Sequence, residues 1–193
     1  MRFRSLIAMA LMVAFIIGCG GSRQTGLVSE ANKETMKNIP KWYLNPPSDD
    51  DFIFATGTAT SRDLQTANDK AKQTATMQIG QTIETRFEGL SKRFQEEVGS
   101  TTEAQYLDQF TSATKAVVST TLSGVVVDEA EIYNENGLFR SYVLLKMPIG
   151  ATSQALMDRI KQQEQLYTRF RSTEVFNELN AETEKFENWK KGE

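Results

Sequence analysis

From Leu64 to Val98 the apolar residues fall at steps of three or four: Leu64, Ala67, Ala71, Ala75, Ile79, Ile83, Phe87, Leu90, Phe94 and Val98. That spacing is the period of one helix face, so the segment reads as a long amphipathic helix, with Ser61 as its N-cap and Asp63 in the first turn. Between Ala67 and Phe87 every step is four residues. Each such step overshoots a full turn by about 40° at 3.6 residues per turn, so the stripe swings around the cylinder. A straight seam with one partner helix does not suit it. The stripe also changes size along its length. Its alanines let the first half lie close on a sheet, and its phenylalanines fill a wider gap in the second half. Gly80 and Gly89 are the positions at which this helix is open to a kink.

The flanking segments supply the sheet. In "IPKWYLNPPSDDDFIFATGTAT", Pro40, Pro46 and Pro47 keep the chain extended, Asp49 to Asp51 make a polar turn, and Phe52 to Thr60 reads as a strand. Gly57 inside that strand points to a bulge or to close approach by another backbone. A second helix is expected from Glu103 to Thr121, with Leu107, Phe110, Ala113 or Thr114, and Val117 inward. Two alternating runs around Asn136-Gly137 form a hairpin, with Ala130 and Ile132 sharing a buried face with Phe139, Val143, Leu145 and Met147. After Pro148 a final amphipathic helix carries Leu156, Ile160, Gln163, Tyr167, Phe170 and Glu174 at heptad positions. Two of these are polar, which favours packing on the core over a sustained coiled coil, with self-association through this helix as the lesser outcome. Beyond Ser172 the tail is expected to be helical and to project. The fold class is therefore α+β: a long amphipathic helix or helices packed on a small antiparallel sheet, with a C-terminal helix.

The N-terminus follows different rules. Arg2 and Arg4 precede an unbroken apolar run from Leu6 to Ile17, the charged and hydrophobic regions of an export signal. A helix over that run spans about 18 Å, short of the roughly 30 Å hydrocarbon core. Ile16-Ile17-Gly18-Cys19 resembles the bacterial lipobox, in which a small residue exposes the cleavage site and the cysteine thiol accepts diacylglycerol. The resemblance implies that residues 1–18 are a lipoprotein signal peptide and that Cys19 is the lipid-attachment residue. A second signal, such as further acylation with palmitate, makes the anchor firm. Gly20 rather than aspartate follows the cysteine, which resembles the pattern sent to the outer membrane. Residues 19–38 read as a flexible tether with a reach of roughly 25 Å. The domain 39–150 would then face the periplasm, followed by the helix 151–193.

The ordered set "PKWYLNPP", "FIFATGTAT" and the alanine steps at Ala67, Ala71 and Ala75 resembles the Lpp-twenty lipoprotein family. That family comprises twenty-kilodalton envelope lipoproteins of the Helicobacter type, related to the N-terminal domain of a flagellar assembly protein. The resemblance covers Ile39 to Met147. It implies an α+β fold with a long helix on a small antiparallel sheet, and it implies no catalytic motif.

Composition narrows the chemistry. The chain has no histidine, one cysteine and a net charge of −3. A Ser-His-Asp triad, a Cys-His pair and imidazole metal ligands are excluded, and no intramolecular disulfide is available. No basic stripe exists to neutralise nucleic-acid phosphates. Ser112-Ala113-Thr114-Lys115 fits S-x-x-K but lacks a K-T-G companion. Asp49 to Asp51, and Glu129 with Glu131, are the carboxylates open to glycan hydrolysis, although turns and solvated sheet faces account for both sets. The aspartates lack calcium-loop spacing. Trp42 and Tyr43, rigid aromatics beside prolines, are the candidate partner-binding residues, though the favoured reading of Trp42 is a plug for the end of the core. The expected function is a non-enzymatic, membrane-anchored binding or assembly module with an envelope protein as partner and with no cofactor or metal. A carboxylate-based envelope glycan enzyme is the alternative.

Overall fold

The strand and the long helix touch at Gly57. The computed structural model describes residues 36–99 and 104–192, and the chain divides into the units Met1–Asn38 and Ile39–Glu193; the second is described here. A short helix α1 (Lys41–Leu44) precedes β1 (Phe52–Ser61), which leads into α2 (Leu64–Val98). A Cβ on Gly57 would stand 2.0 Å from the Ala71 carbonyl oxygen and 2.9 Å from the Ala75 amide nitrogen. Strand and helix backbones therefore meet with no side chain between them, and Ala67, Ala71 and Ala75 are fully buried at the contact. The helix cap is Asp63 rather than Ser61: its carboxylate accepts the Thr66 amide at 2.7 Å, while Ser61 remains in the strand opposite Phe139 and accepts the Asp63 amide. The helix runs without interruption through Gly80 and Gly89.

The sheet is antiparallel with order β1-β3-β2, where β2 is Val126–Glu135 and β3 is Leu138–Pro148. Asn136 (φ 52°) and Gly137 (φ 82°) make the two-residue connection, the left-handed pair that matches strand twist. Ile53, Ala55 and Gly57 stand opposite Met147, Leu145 and Val143, and these residues form the face under α2. On β2 the outcome differs from expectation. Ala130 and Ile132 do lie in register with Val143 and Ser141, yet Ile132 is 37% and Val127 46% exposed. A helix about 10 Å across covers two strands spaced about 4.8 Å apart, and α2 is spent on β1 and β3.

Where the stripe on α2 swings off the sheet, other helices receive it. Phe94 stacks on Phe110 of α3 (Ala104–Thr121) at 4.7 Å and meets Phe170 edge-on at 5.7 Å. The segment expected as one C-terminal helix is divided into α4 (Ile149–Lys161), α5 (Glu164–Phe170) and α6 (Glu174–Gly192). It breaks at Gln162–Gln163 and again near Thr173, whose hydroxyl accepts the Phe176 amide at the start of α6. Leu156, Ile160 and Phe170 are buried in the common core, so the heptad spacing reflects core packing. The tail does not project. It turns back so tightly on α4 that a Cβ on Gly150 would meet Phe186 Cβ at 2.3 Å. Arg86 of α2 ties the two together, pairing with Glu182, which also accepts the buried Ser153 hydroxyl, and donating to Thr152 at 3.3 Å.

Gly57→Ala is expected to cost about 3 kcal/mol or more in denaturant unfolding, because backbone rather than a movable side chain occupies the space. Gly89→Ala, which meets nothing within 4 Å, is expected to stabilise by up to about 1 kcal/mol through helix propensity. Equal effects at the two glycines would refute the close strand–helix contact.

Candidate functional site

The outer face of the sheet carries the aromatic residues singled out in the sequence. α1 lays Tyr43 edge-on against Tyr142 at 5.0 Å, and Tyr142 meets Tyr133 at 6.1 Å. Trp42 is held by its indole N–H, which donates to Glu131 Oε1 at 3.0 Å, while the Tyr133 hydroxyl donates to the other oxygen of the same carboxylate. Trp42 and Tyr43 are half-buried, and the Trp42 indole N–H is turned to the sheet. They clamp the N-terminal segment onto β2 and β3. These contacts make a small second core.

The candidate carboxylates lie on different elements, Glu129 and Glu131 on β2 and Asp49 to Asp51 in the turn before β1. Glu129 and Glu131 share the outer face opposite Leu144 and Tyr142, but Glu131 is engaged by Trp42 and Tyr133. Asp49 accepts the Asp51 amide at 2.7 Å, making the expected turn, and Asp51 pairs with Lys185 at 2.5 Å. Among the described residues the buried polar residues all carry hydroxyls: Thr114, Ser141, Thr152, Ser153 and Thr173. The carboxyl pKa is lowered at Asp63, by the Thr66 amide, and at Glu187, by Lys190 and Gln154. Both shifts run opposite to what a general acid requires. Ser112 borders a hollow with Arg159 and Gln163, whereas Lys115 borders a groove beside Glu88 and Gln95 of α2, so the S-x-x-K residues open onto different spaces. Cys19 lies outside the described residues. Among the described residues, no group of acidic or thiol side chains is placed to hold a metal ion, and no helix is long and apolar enough to cross a membrane.

Two surfaces stand apart from these candidates. One is the free edge of β2, where Val126, Val127 and Ile132 are exposed and a bulge between Val127 and Glu129 turns Asp128 toward Lys146 at 2.6 Å. The other is a hollow of about 220 Å³ where the starts of β1 and α4 meet the last turns of α6, walled by Phe52, Phe186 and Trp189. The hollow was not foreseen from sequence. Its one signal there is Phe186 and Trp189 at helical spacing in a tail otherwise crowded with charge. Comparison with known proteins adds no relative: no family model, no curated protein and no solved structure matches the chain.

Two of the five tyrosines are held above the ordinary phenol value of 10.0, Tyr133 by donating to Glu131 and Tyr142 by burial. The unfolded chain releases these protons first, so their stabilisation is whole below about pH 10 and is lost as pH rises through the folded values. Ultraviolet titration of the native protein is expected to show two late-ionising phenols, one of which moves down in Glu131→Ala. Simultaneous ionisation of all five would contradict the cluster on the outer face.

Proposed function

We propose that this chain is a non-enzymatic envelope lipoprotein, anchored at the outer membrane through diacylglycerol on Cys19, whose folded unit binds an extended segment of another envelope protein in the periplasm. The observation that carries the binding reading is the uncovered edge strand. β2 presents unpaired backbone along a sheet edge with Val127 46% and Ile132 37% exposed, the arrangement that accepts an added strand. Charge selects the occupant. Glu129 is exposed and has no cationic partner among the described residues, with Asp128 and Glu131 close by. A second copy paired antiparallel about Ala130 would set Glu129 against Glu131 of its neighbour, and like charges directly opposite destabilise. The strand that fits carries lysine or arginine on that face and apolar residues on the other.

The anchor rests on the lipobox resemblance, and the α+β architecture agrees with the fold that the Lpp-twenty resemblance implies. The alternative, a carboxylate-based glycan enzyme, is the lesser reading, because two of the three carboxylates that line the hollow beside Phe52 are engaged, Asp51 by Lys185 and Glu182 by Arg86 and Ser153.

Two measurements test the two halves separately. Metabolic labelling with an alkyne palmitate analogue is expected to mark the wild type and not Cys19→Ala; an unlabelled wild type would remove the anchor. Cross-linking mass spectrometry in native cells is expected to recover a partner through β2, with a basic extended segment at the link, and to lose it several-fold in Glu129→Lys. Links to β2 that persist undiminished in that variant would reject the charge-selected strand.

A further inference from the structure

We infer that the aromatic hollow at the end of the unit opposite the β2–β3 hairpin turn is a carbohydrate-binding site that takes one neutral pyranose ring. Its walls are arranged for a ring with an apolar face. Trp189 is 41% exposed. It lies in an offset stack with Phe186 at 5.7 Å and 19°, and nearly perpendicular to Phe52 at 6.0 Å and 83°. Indole and phenyl thus form a corner rather than a flat patch. The floor is rigid, because α6 is seated on Gly150 with no room for a Cβ and is tied through Glu182 to Arg86. A volume of about 220 Å³ is below the range of drug-sized sites and is suited to a single ring.

The polar rim selects the chemistry. Sugar hydroxyls both donate and accept, so a site for them needs acceptors and donors side by side. Asp50 and Asp51 supply carboxylate oxygens, and Lys185, paired with Asp51 at 2.5 Å and largely exposed, supplies N–H groups. Other ligand classes are opposed by the same groups. Ammonium ligands that seek aromatic faces meet lysines already there: Lys190 lies 4.7 Å from the Phe186 ring centre and Lys146 lies 5.9 Å from that of Phe52. Phosphates and other anions meet the carboxylates of Asp50, Asp51 and Glu182. A neutral ring with an apolar face and several hydroxyls satisfies all of them. Of the rim carboxylates, Asp51 is held by Lys185 and Glu182 by Arg86 and Ser153. This inference does not depend on the strand-binding reading of β2.

The full chain carrying Cys19→Ala, titrated with chitobiose and with cellobiose and followed by isothermal titration calorimetry, which reads binding with or without Trp189, is the test. A saturable change at millimolar sugar is expected for at least one of them. It should be retained in Trp42→Phe and weakened about tenfold in Trp189→Ala, the loss typical of a stacking aromatic. Asp50→Ala, an exposed change that leaves the core intact, is expected to weaken binding several-fold and serves if Trp189→Ala disturbs α6. No saturable response to either sugar, a response that survives both Trp189→Ala and Asp50→Ala, or saturation by choline chloride or inorganic phosphate in place of sugar would each overturn the proposal.

Discussion

The unit is organised by one contact, the meeting of the β1 backbone at Gly57 with the backbone of α2 at Ala71 and Ala75. A Cβ 2.0 Å from a carbonyl oxygen cannot be accommodated by a rotamer change, so glycine on the strand and alanine on the helix are demanded together. With the helix seated this low, its axis is set relative to the sheet, and everything further along α2 follows. The stripe continues to rotate, leaves the sheet near Phe87, and needs a second set of partners. Those are Phe110 and Phe170, brought in by α3 and α5, which close the aromatic half of the core.

Placing one helix over a three-stranded sheet has a geometric cost. β1 and β3 are covered and β2 is not, so Ile132, which read as a core residue, stands in solvent together with Val127. The protein tempers this edge with a bulge and with Asp128 and Glu129, devices that discourage indiscriminate pairing. On the other face, Trp42, Tyr43, Tyr133 and Tyr142 gather around Glu131 and keep the chain preceding β1 against the sheet. Trp42 and Tyr43 thus take part in an internal fastening. The more open aromatic surface is at the far end, where Trp189 is only partly covered by Phe186.

The readings that held and those that did not divide by the range of the interaction concerned. The periodicity of α2, the Asn136-Gly137 turn and the inward residues of α3 are local properties, and each was legible. The division of residues 149–192 into three helices was less so, because the breaks near Gln163 and Thr173 occur at residues with no strong helix-breaking character and are imposed by the return of α6 onto α4. The hollow at Trp189 was illegible for the same reason. Asp51 and Phe52 are far along the chain from Lys185 and Trp189, and the two pairs become neighbours only after that return.

The sequence by itself determined the α+β class, the buried stripe of α2, the hairpin register and the exclusion of histidine-based catalysis, because each depends on residue type and spacing within a short window. The tertiary structure alone decided which strand is left uncovered, where the tail folds, and which aromatics are spent on fastening and which face solvent. Those outcomes depend on how many strands one helix can cover and on which distant residues share the remaining space, and no local pattern encodes either.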